Sequence, residues 1–102
     1  MSERMEKECY LMVDININNI DEYKIYIEKV KPMIEKFGGK YLIKGGEIDA
    51  KETNLWKPTR IVLVQFPNKI SALNWYNSEE YKPLKKIILN NATSNILFIE
   101  GA

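Results

Sequence analysis

Alternation of apolar and polar residues marks the first element of the chain. Residues 8–17 place every second side chain on a wholly apolar face, formed by Cys9, Leu11, Val13, Ile15 and Ile17. The other face is mixed and carries Tyr10, Met12, Asp14 and Asn16. Because side chains of a β-strand alternate between the two sides of a sheet, this segment is predicted to be a strand with one side on the core.

A helical repeat follows this strand. Asn19 suits a helix N-cap, and Glu22 three residues later completes a capping box. Apolar residues then recur at steps of three and four, which is the spacing of one helix face; they are Ile20, Tyr23, Ile27, Val30, Ile34 and Phe37. Gly38 suits the left-handed position that ends a helix. A helix is therefore predicted up to residue 37.

The remaining patterns predict three more strands and a broken helix. Strands are expected at Gly39–Gly46, Thr59–Phe66 and residues 94–100, with helical pieces from about Asn68 to Asn77 and from about Pro83 to Asn91. The 47–58 connection is long for a hairpin, and such loops are more often functional or mobile. The order β-α-β-β-α-β predicts an α+β, ferredoxin-like fold with a four-stranded antiparallel sheet, in a single domain over residues 1–102.

Such a sheet has helices on one face and leaves the other face bare. Tyr10, Met12 and Leu63 would then form part of an exposed apolar patch on a monomer. The simplest remedy is a symmetric homodimer in which two sheets cover each other. We therefore expect a homodimer.

Composition narrows the chemistry. The net charge is +1 and the apolar runs are only strand-sized, so neither a nucleic acid nor a membrane is expected as a partner. The absence of histidine excludes histidine-based acid–base catalysis and every metal or haem site that needs imidazole. We expect no metal site and no cofactor. Cys9 is the only cysteine, which excludes a structural zinc site and is consistent with a cytoplasmic location.

Five short motifs occur in order along the chain. They are Gly38-Gly39-Lys40-Tyr41-Leu42-Ile43-Lys44-Gly45-Gly46, Trp56-x-Pro58-x-Arg60, Phe66-Pro67, Trp75-Tyr76-x-Ser78-x-Glu80-Tyr81 and Ile99-Glu100-Gly101. Together they resemble the family of domain of unknown function 1330, within the dimeric α/β-barrel superfamily. The resemblance implies a dimeric barrel, and the family has no settled reaction; relatives in the superfamily include cofactor-free monooxygenases. Lys44 is a departure, because the family usually carries arginine there.

One edge of the predicted sheet collects polar residues. The end of the first strand, the end of the second and the start of the third meet there, which brings Asp14, Lys44 and Arg60 together beneath the loop that carries Trp56. Two cations, a carboxylate and an indole under a long loop suit a small anionic or aromatic ligand. The alternative is that Arg60 and Lys44 pair with a carboxylate at a partly solvated edge.

Three further residues have two interpretations each. Asp14 lies mid-strand, so it is either a carboxyl whose pKa burial raises, suited to proton transfer, or a carboxylate bonded to its neighbours. Trp75 either lines an apolar ligand pocket or packs in the core. Tyr81 either lines the same pocket or ties down the turn at Ser78.

Two functions remain open. The first is a small homodimeric protein that binds a small organic molecule, anionic or aromatic. This hypothesis includes a cofactor-free enzyme of minor metabolism. The second is a non-catalytic binding or assembly domain whose polar residues stabilise the dimer. A cavity of several hundred cubic ångströms beside Asp14, Arg60 or Trp75 would favour the first function, and a filled interior would favour the second.

Overall fold

The structure, a computed structural model, describes residues 7–102. The first six residues of the expected single domain lie outside the described part. Seven elements follow one another: β1 Cys9–Ile17, α1 Ile20–Lys36, β2 Lys40–Lys44, β3 Ile61–Phe66, α2 Lys69–Tyr76, α3 Lys82–Asn91 and β4 Ala92–Glu100. The four strands form one antiparallel sheet in the order β2-β3-β1-β4. This confirms the predicted ferredoxin-like α+β fold, with its last helix divided into α2 and α3.

Local chemistry sets the ends of α1. The Asn19 side chain accepts a hydrogen bond from the Glu22 backbone N–H at 3.2 Å, which satisfies one of the free donors of the first turn. Beyond α1, Gly38 adopts a φ of 88°, a left-handed conformation that glycine reaches without steric cost. The predicted cap and terminator of this helix are both confirmed.

The strands next to the long loop are shorter than predicted. β2 ends at Lys44 because Gly45 turns the chain with a φ of 74°. β3 begins at Ile61 rather than Thr59, because the backbone N–H groups of Thr59 and Arg60 bond to the Asp14 carboxylate. The side-chain acceptor thus competes with the sheet ladder for these two donors.

The core lies between the helices and one side of the sheet. Leu11 and Val64 pack there against Val30 and Ile34 of α1, and all four are at most 3 % exposed. Trp75 of α2 and Tyr81, which precedes α3, are buried in the same core.

The other side of the sheet carries a row of apolar side chains, one from each strand. Register places Ile43 beside Leu63, Leu63 beside Met12, and Met12 beside Leu97. The neighbouring row includes Tyr10 and Ile99. We call these six residues the open face. Ile43, Leu97 and Ile99 are 39–46 % exposed, which is unusual for a contiguous apolar group on a monomer.

Candidate functional site

A cavity of about 280 Å³ lies between α1 and the sheet. Its walls are mostly aliphatic and come from β1, β3 and α1, among them Val13, Ile15, Val30 and Val62. Aromatic rings also line it, from Tyr23 and Tyr26 of α1, Tyr41 of β2, Trp75 of α2 and Tyr81. The interior of this domain is therefore not filled, and its lining is typical of a site for a small organic molecule.

Three cations line the cavity: Lys31 of α1, Lys44 of β2 and Arg60. Lys44 and Arg60 belong to the two segments that the long loop connects. Arg60 directs its guanidinium over Gly45, where a Cβ atom would collide with it, and its Cζ lies 6.0 Å from the centre of the Tyr23 ring. Lys44 is the last residue of β2 and pairs with Val62 of β3. Its Nζ lies 5.1 Å from the centre of the Tyr41 ring. Within residues 7–102 neither side chain forms an ion pair. The positive charge at this position is thus not neutralised by a carboxylate.

Arg60 also has an unused donor. Its Nη2 is 3.5 Å from the Lys44 carbonyl oxygen, but its buried Nε has no hydrogen-bond partner among the described residues. A buried N–H without an acceptor is costly, and most such groups in proteins are satisfied by a neighbour, water or a ligand.

Two tyrosine hydroxyls meet elsewhere on the lining. The Tyr26 and Tyr81 oxygens are 2.9 Å apart, and the Trp75 ring lies 4.3 Å from that of Tyr81, centre to centre. Burial raises the pKa of Tyr81 to about 12 and that of Tyr26 well above its ordinary value. Both hydroxyls are therefore protonated at neutral pH and act as uncharged donors.

Asp14 lies on the other side of the sheet. It is 5 % exposed, and its Oδ2 accepts from the indole Nε1 of Trp56 at 2.6 Å, while Oδ1 accepts from the backbone N–H groups of Thr59 at 2.8 Å and Arg60 at 3.1 Å. Burial acts to raise the pKa of Asp14, but these three hydrogen bonds outweigh it and hold the pKa below its usual value. Asp14 is an ionised, fully bonded carboxylate rather than a proton acceptor with a raised pKa.

The six predicted site residues are thus divided between two faces. Lys44, Arg60, Trp75 and Tyr81 line the cavity, whereas Asp14 and Trp56 bond to each other on the side of the open face. Strand alternation explains the division. Ile61 is the cross-strand partner of Asp14 and shares its side of the sheet, so Arg60, the residue before Ile61, points to the opposite side. The two groups are linked only through the backbone of Arg60, and the role of all six in binding stays a prediction.

Tyr26 is the site residue that sequence reasoning missed. It lies three residues after Tyr23 in α1, and its ring stacks on the Tyr23 ring at 6.0 Å. Residues three apart are neighbours on a helix surface, so the tyrosine pair itself was the available signal.

Residues 7–102 contain no group of three or more histidine, cysteine, aspartate or glutamate side chains placed to hold a metal ion. None of the helices in this part of the chain has the length and apolar character needed to cross a bilayer.

Comparison with known proteins gives a family and a fold. The family model described as "Domain of unknown function (DUF1330)" matches residues 8–102. No curated protein matches the chain. A protein of unknown function from Rhodopseudomonas palustris is similar in structure, with a TM-score of 0.75, 14 % identity, and coverage of 95 % of this chain and 84 % of that one.

Two further solved structures are similar in fold. SnoaB, a cofactor-independent oxygenase from Streptomyces nogalater, has a TM-score of 0.67 at 9 % identity and covers 94 % of both chains. A protein from Bacteroides thetaiotaomicron, described as a possible oxidoreductase, has a TM-score of 0.59 at 15 % identity, with coverage of 94 % of this chain and 99 % of that one. At these identities the likeness shows the shared fold.

Proposed function

The chain belongs to the family of domain of unknown function 1330, in the dimeric α/β-barrel superfamily, and from this premise we propose that it binds a small aromatic acid in the cavity between α1 and the sheet. The observation that carries the proposal is the buried, unpartnered Nε of Arg60 on the lining of a mostly apolar cavity. A carboxylate would supply the missing acceptor, and the apolar walls would cover the rest of the ligand.

Charge favours an anion over a neutral ligand. Arg60 and Lys44 both line the cavity and neither is paired with a carboxylate within residues 7–102. Hydrogen bonds to charged groups contribute about 1.5–3 kcal/mol, roughly twice the value for neutral pairs. An aromatic body suits the cavity because the rings of Tyr23 and Tyr26 form part of its wall.

The non-catalytic assembly function is disfavoured by the same cavity. A domain that only assembles gains stability from a filled core, since empty apolar volume forfeits packing contacts. Catalysis without a cofactor is the natural extension of the binding proposal, because SnoaB combines this fold with cofactor-independent oxygenation. Incubating each bound acid with the protein in air, followed by mass spectrometry, tests whether any acid is altered.

Isothermal titration with aromatic carboxylates and their neutral amides tests binding. The acids are expected to bind at least tenfold more tightly than the matching amides, and Arg60→Met should remove that preference. Lys86→Met serves as the matched control, because Lys86 is an exposed cation outside the cavity lining. Equal binding of acids and amides, or an unchanged preference in Arg60→Met, would refute the proposal.

A homodimer is proposed for the open face. Its rows of apolar side chains are partly exposed, and an isologous contact between two copies would bury them. The superfamily to which the chain belongs is that of dimeric barrels, which supports a second copy as the occupant.

Sedimentation equilibrium tests the dimer. Leu97→Asp, on the open face, is expected to give a monomer, whereas Leu89→Asp on α3 should leave the dimer intact. Both leucines are exposed, 39 % and 70 %, so the pair separates a specific interface from a general loss of surface apolarity. A monomeric parent protein, or equal behaviour of the two variants, would contradict the proposal.

A further inference from the structure

Ring contacts place Arg60 apart from a second group of donors. Arg60 contacts the Tyr23 ring, Tyr23 stacks on Tyr26, and the Tyr26 ring lies 6.3 Å from that of Tyr81. Trp75 follows at 4.3 Å from Tyr81. All five residues line the same cavity. The Tyr23 ring therefore lies between the Arg60 cation and the group formed by Tyr26, Tyr81 and Trp75.

The second group contains two polar hydrogens that have no acceptor among the described residues. Tyr26 and Tyr81 share one hydrogen bond, and whichever hydroxyl donates it, the proton of the other hydroxyl has no acceptor among the described residues. The buried indole Nε1 of Trp75 also has no partner in that part of the chain. Trp75 and Tyr81 are 2 % and 1 % exposed, so bulk water does not satisfy these groups.

We propose that this donor group, formed by Tyr26, Trp75 and Tyr81, binds an uncharged oxygen of the ligand at the end remote from its carboxylate. The inference rests on the proposed function, and it narrows the ligand class to aromatic acids that carry a phenolic hydroxyl or a ring carbonyl on the far side. The site would then recognise its ligand at both ends, with a cation for one end and neutral donors for the other.

The character of the donor group favours a neutral oxygen. Both hydroxyls stay protonated at neutral pH, and the walls around them are apolar. Lys85 places its Nζ 3.8 Å from the centre of the Tyr76 ring and 6.0 Å from that of the Tyr81 ring. The Lys85 ammonium forms a cation–π contact with Tyr76. The donor group therefore offers a ligand neutral hydrogen-bond donors rather than a positive charge.

Titration with naphthoate and with naphthoates hydroxylated at each ring position tests the inference. At least one hydroxylated isomer is expected to bind about tenfold more tightly than naphthoate, which corresponds to about 1.4 kcal/mol. The inference fails if no isomer binds more than about twofold more tightly than the parent acid.

Variants assign the gain to named donors. The double variant Tyr26→Phe with Tyr81→Phe, which removes only two oxygens, should bring the preference for the hydroxylated acid below about threefold. Trp75→Phe should also reduce the preference for the hydroxylated acid. This variant tests the inference if the double variant does not fold. Lys86→Met is the control and should keep the full preference. An undiminished preference in the donor variants overturns the inference.

The titrations distinguish failure of the proposed function from failure of the present inference. Arg60→Met should weaken binding of both acids by the same factor and leave their ratio unchanged. If no naphthoate binds, the proposed function itself fails and this inference with it. If the acids bind through Arg60 but the hydroxyl adds nothing, only the present inference fails.

Discussion

Asp14→Asn is the substitution whose consequence follows most directly from the structure. The carboxylate receives three N–H donors: two backbone groups at Oδ1 and the Trp56 indole at Oδ2. An asparagine amide has one acceptor oxygen and one NH₂ group, which is itself a donor. Whichever way the amide turns, its NH₂ must oppose at least one of the three donors. The favoured orientation keeps the oxygen on the backbone pair of Thr59 and Arg60.

The expected cost of Asp14→Asn is about 2–3 kcal/mol. Losing the charge weakens each remaining hydrogen bond, and charged bonds contribute about 1.5–3 kcal/mol against about 1 kcal/mol for neutral ones. The lost Trp56 bond adds less than a fully buried one, because Trp56 is 41 % exposed and water can replace the acceptor. Urea denaturation of the parent and the variant, with an unchanged m-value, measures the difference.

A double-mutant cycle with Trp56→Phe checks the reasoning. Trp56→Phe alone removes the indole donor and is expected to cost about 1 kcal/mol. In the Asp14→Asn background it should cost almost nothing, because the donor it removes already faces the NH₂ group. A total loss below about 0.5 kcal/mol for Asp14→Asn, or additive costs in the cycle, would show that the three hydrogen bonds do not hold the loop.

Three further outcomes are expected. The folded-state pKa of Asp14 lies below its unfolded value of about 3.9, so the stability gap between the parent and Asp14→Asn should be full above that pH and narrow as pH falls through the folded pKa, as measured by urea denaturation at several pH values. Gly45→Ala should cost roughly 1–2 kcal/mol, since φ is 74°, and should weaken acid binding in titration because its Cβ displaces Arg60; unchanged affinity would contradict this. Glu80→Gln, which breaks a surface ion pair with Lys36, should change stability in thermal melts by no more than about 0.5 kcal/mol.

The fold was predictable because its signals are local. The period of two in residues 8–17 assigns each side chain of β1 to a face, and a side chain cannot leave its face without shifting the whole strand. The same rule explains why the side of the sheet on which Arg60 lies could not be predicted. Arg60 lies just outside β3, and its face depends on the register of Ile61 with Asp14, a contact between residues far apart in sequence.

The cavity itself was beyond sequence reasoning. Apolar spacing shows that Val30 and Ile34 face inward, but whether their volumes fill the space against the sheet depends on packing across all seven elements. The partners of Asp14 are also set at long range, since Trp56 reaches it from a loop without a regular period. Tyr26, by contrast, lay on the same helix face as Tyr23 and was within reach of helical spacing.

Asp14 also joins the two surfaces proposed here. Its side chain lies on the side of the open face, while the backbone N–H it holds belongs to Arg60, whose guanidinium reaches the cavity on the other side. Any shift of Asp14 on dimer formation would therefore move the arginine that we propose binds the acid. Thermodynamic linkage then requires reciprocity: if the dimer binds an acid more tightly than the monomer by some factor, the acid must strengthen dimer formation correspondingly. Occupancy of the cavity would be readable as a change in the dissociation constant of the dimer.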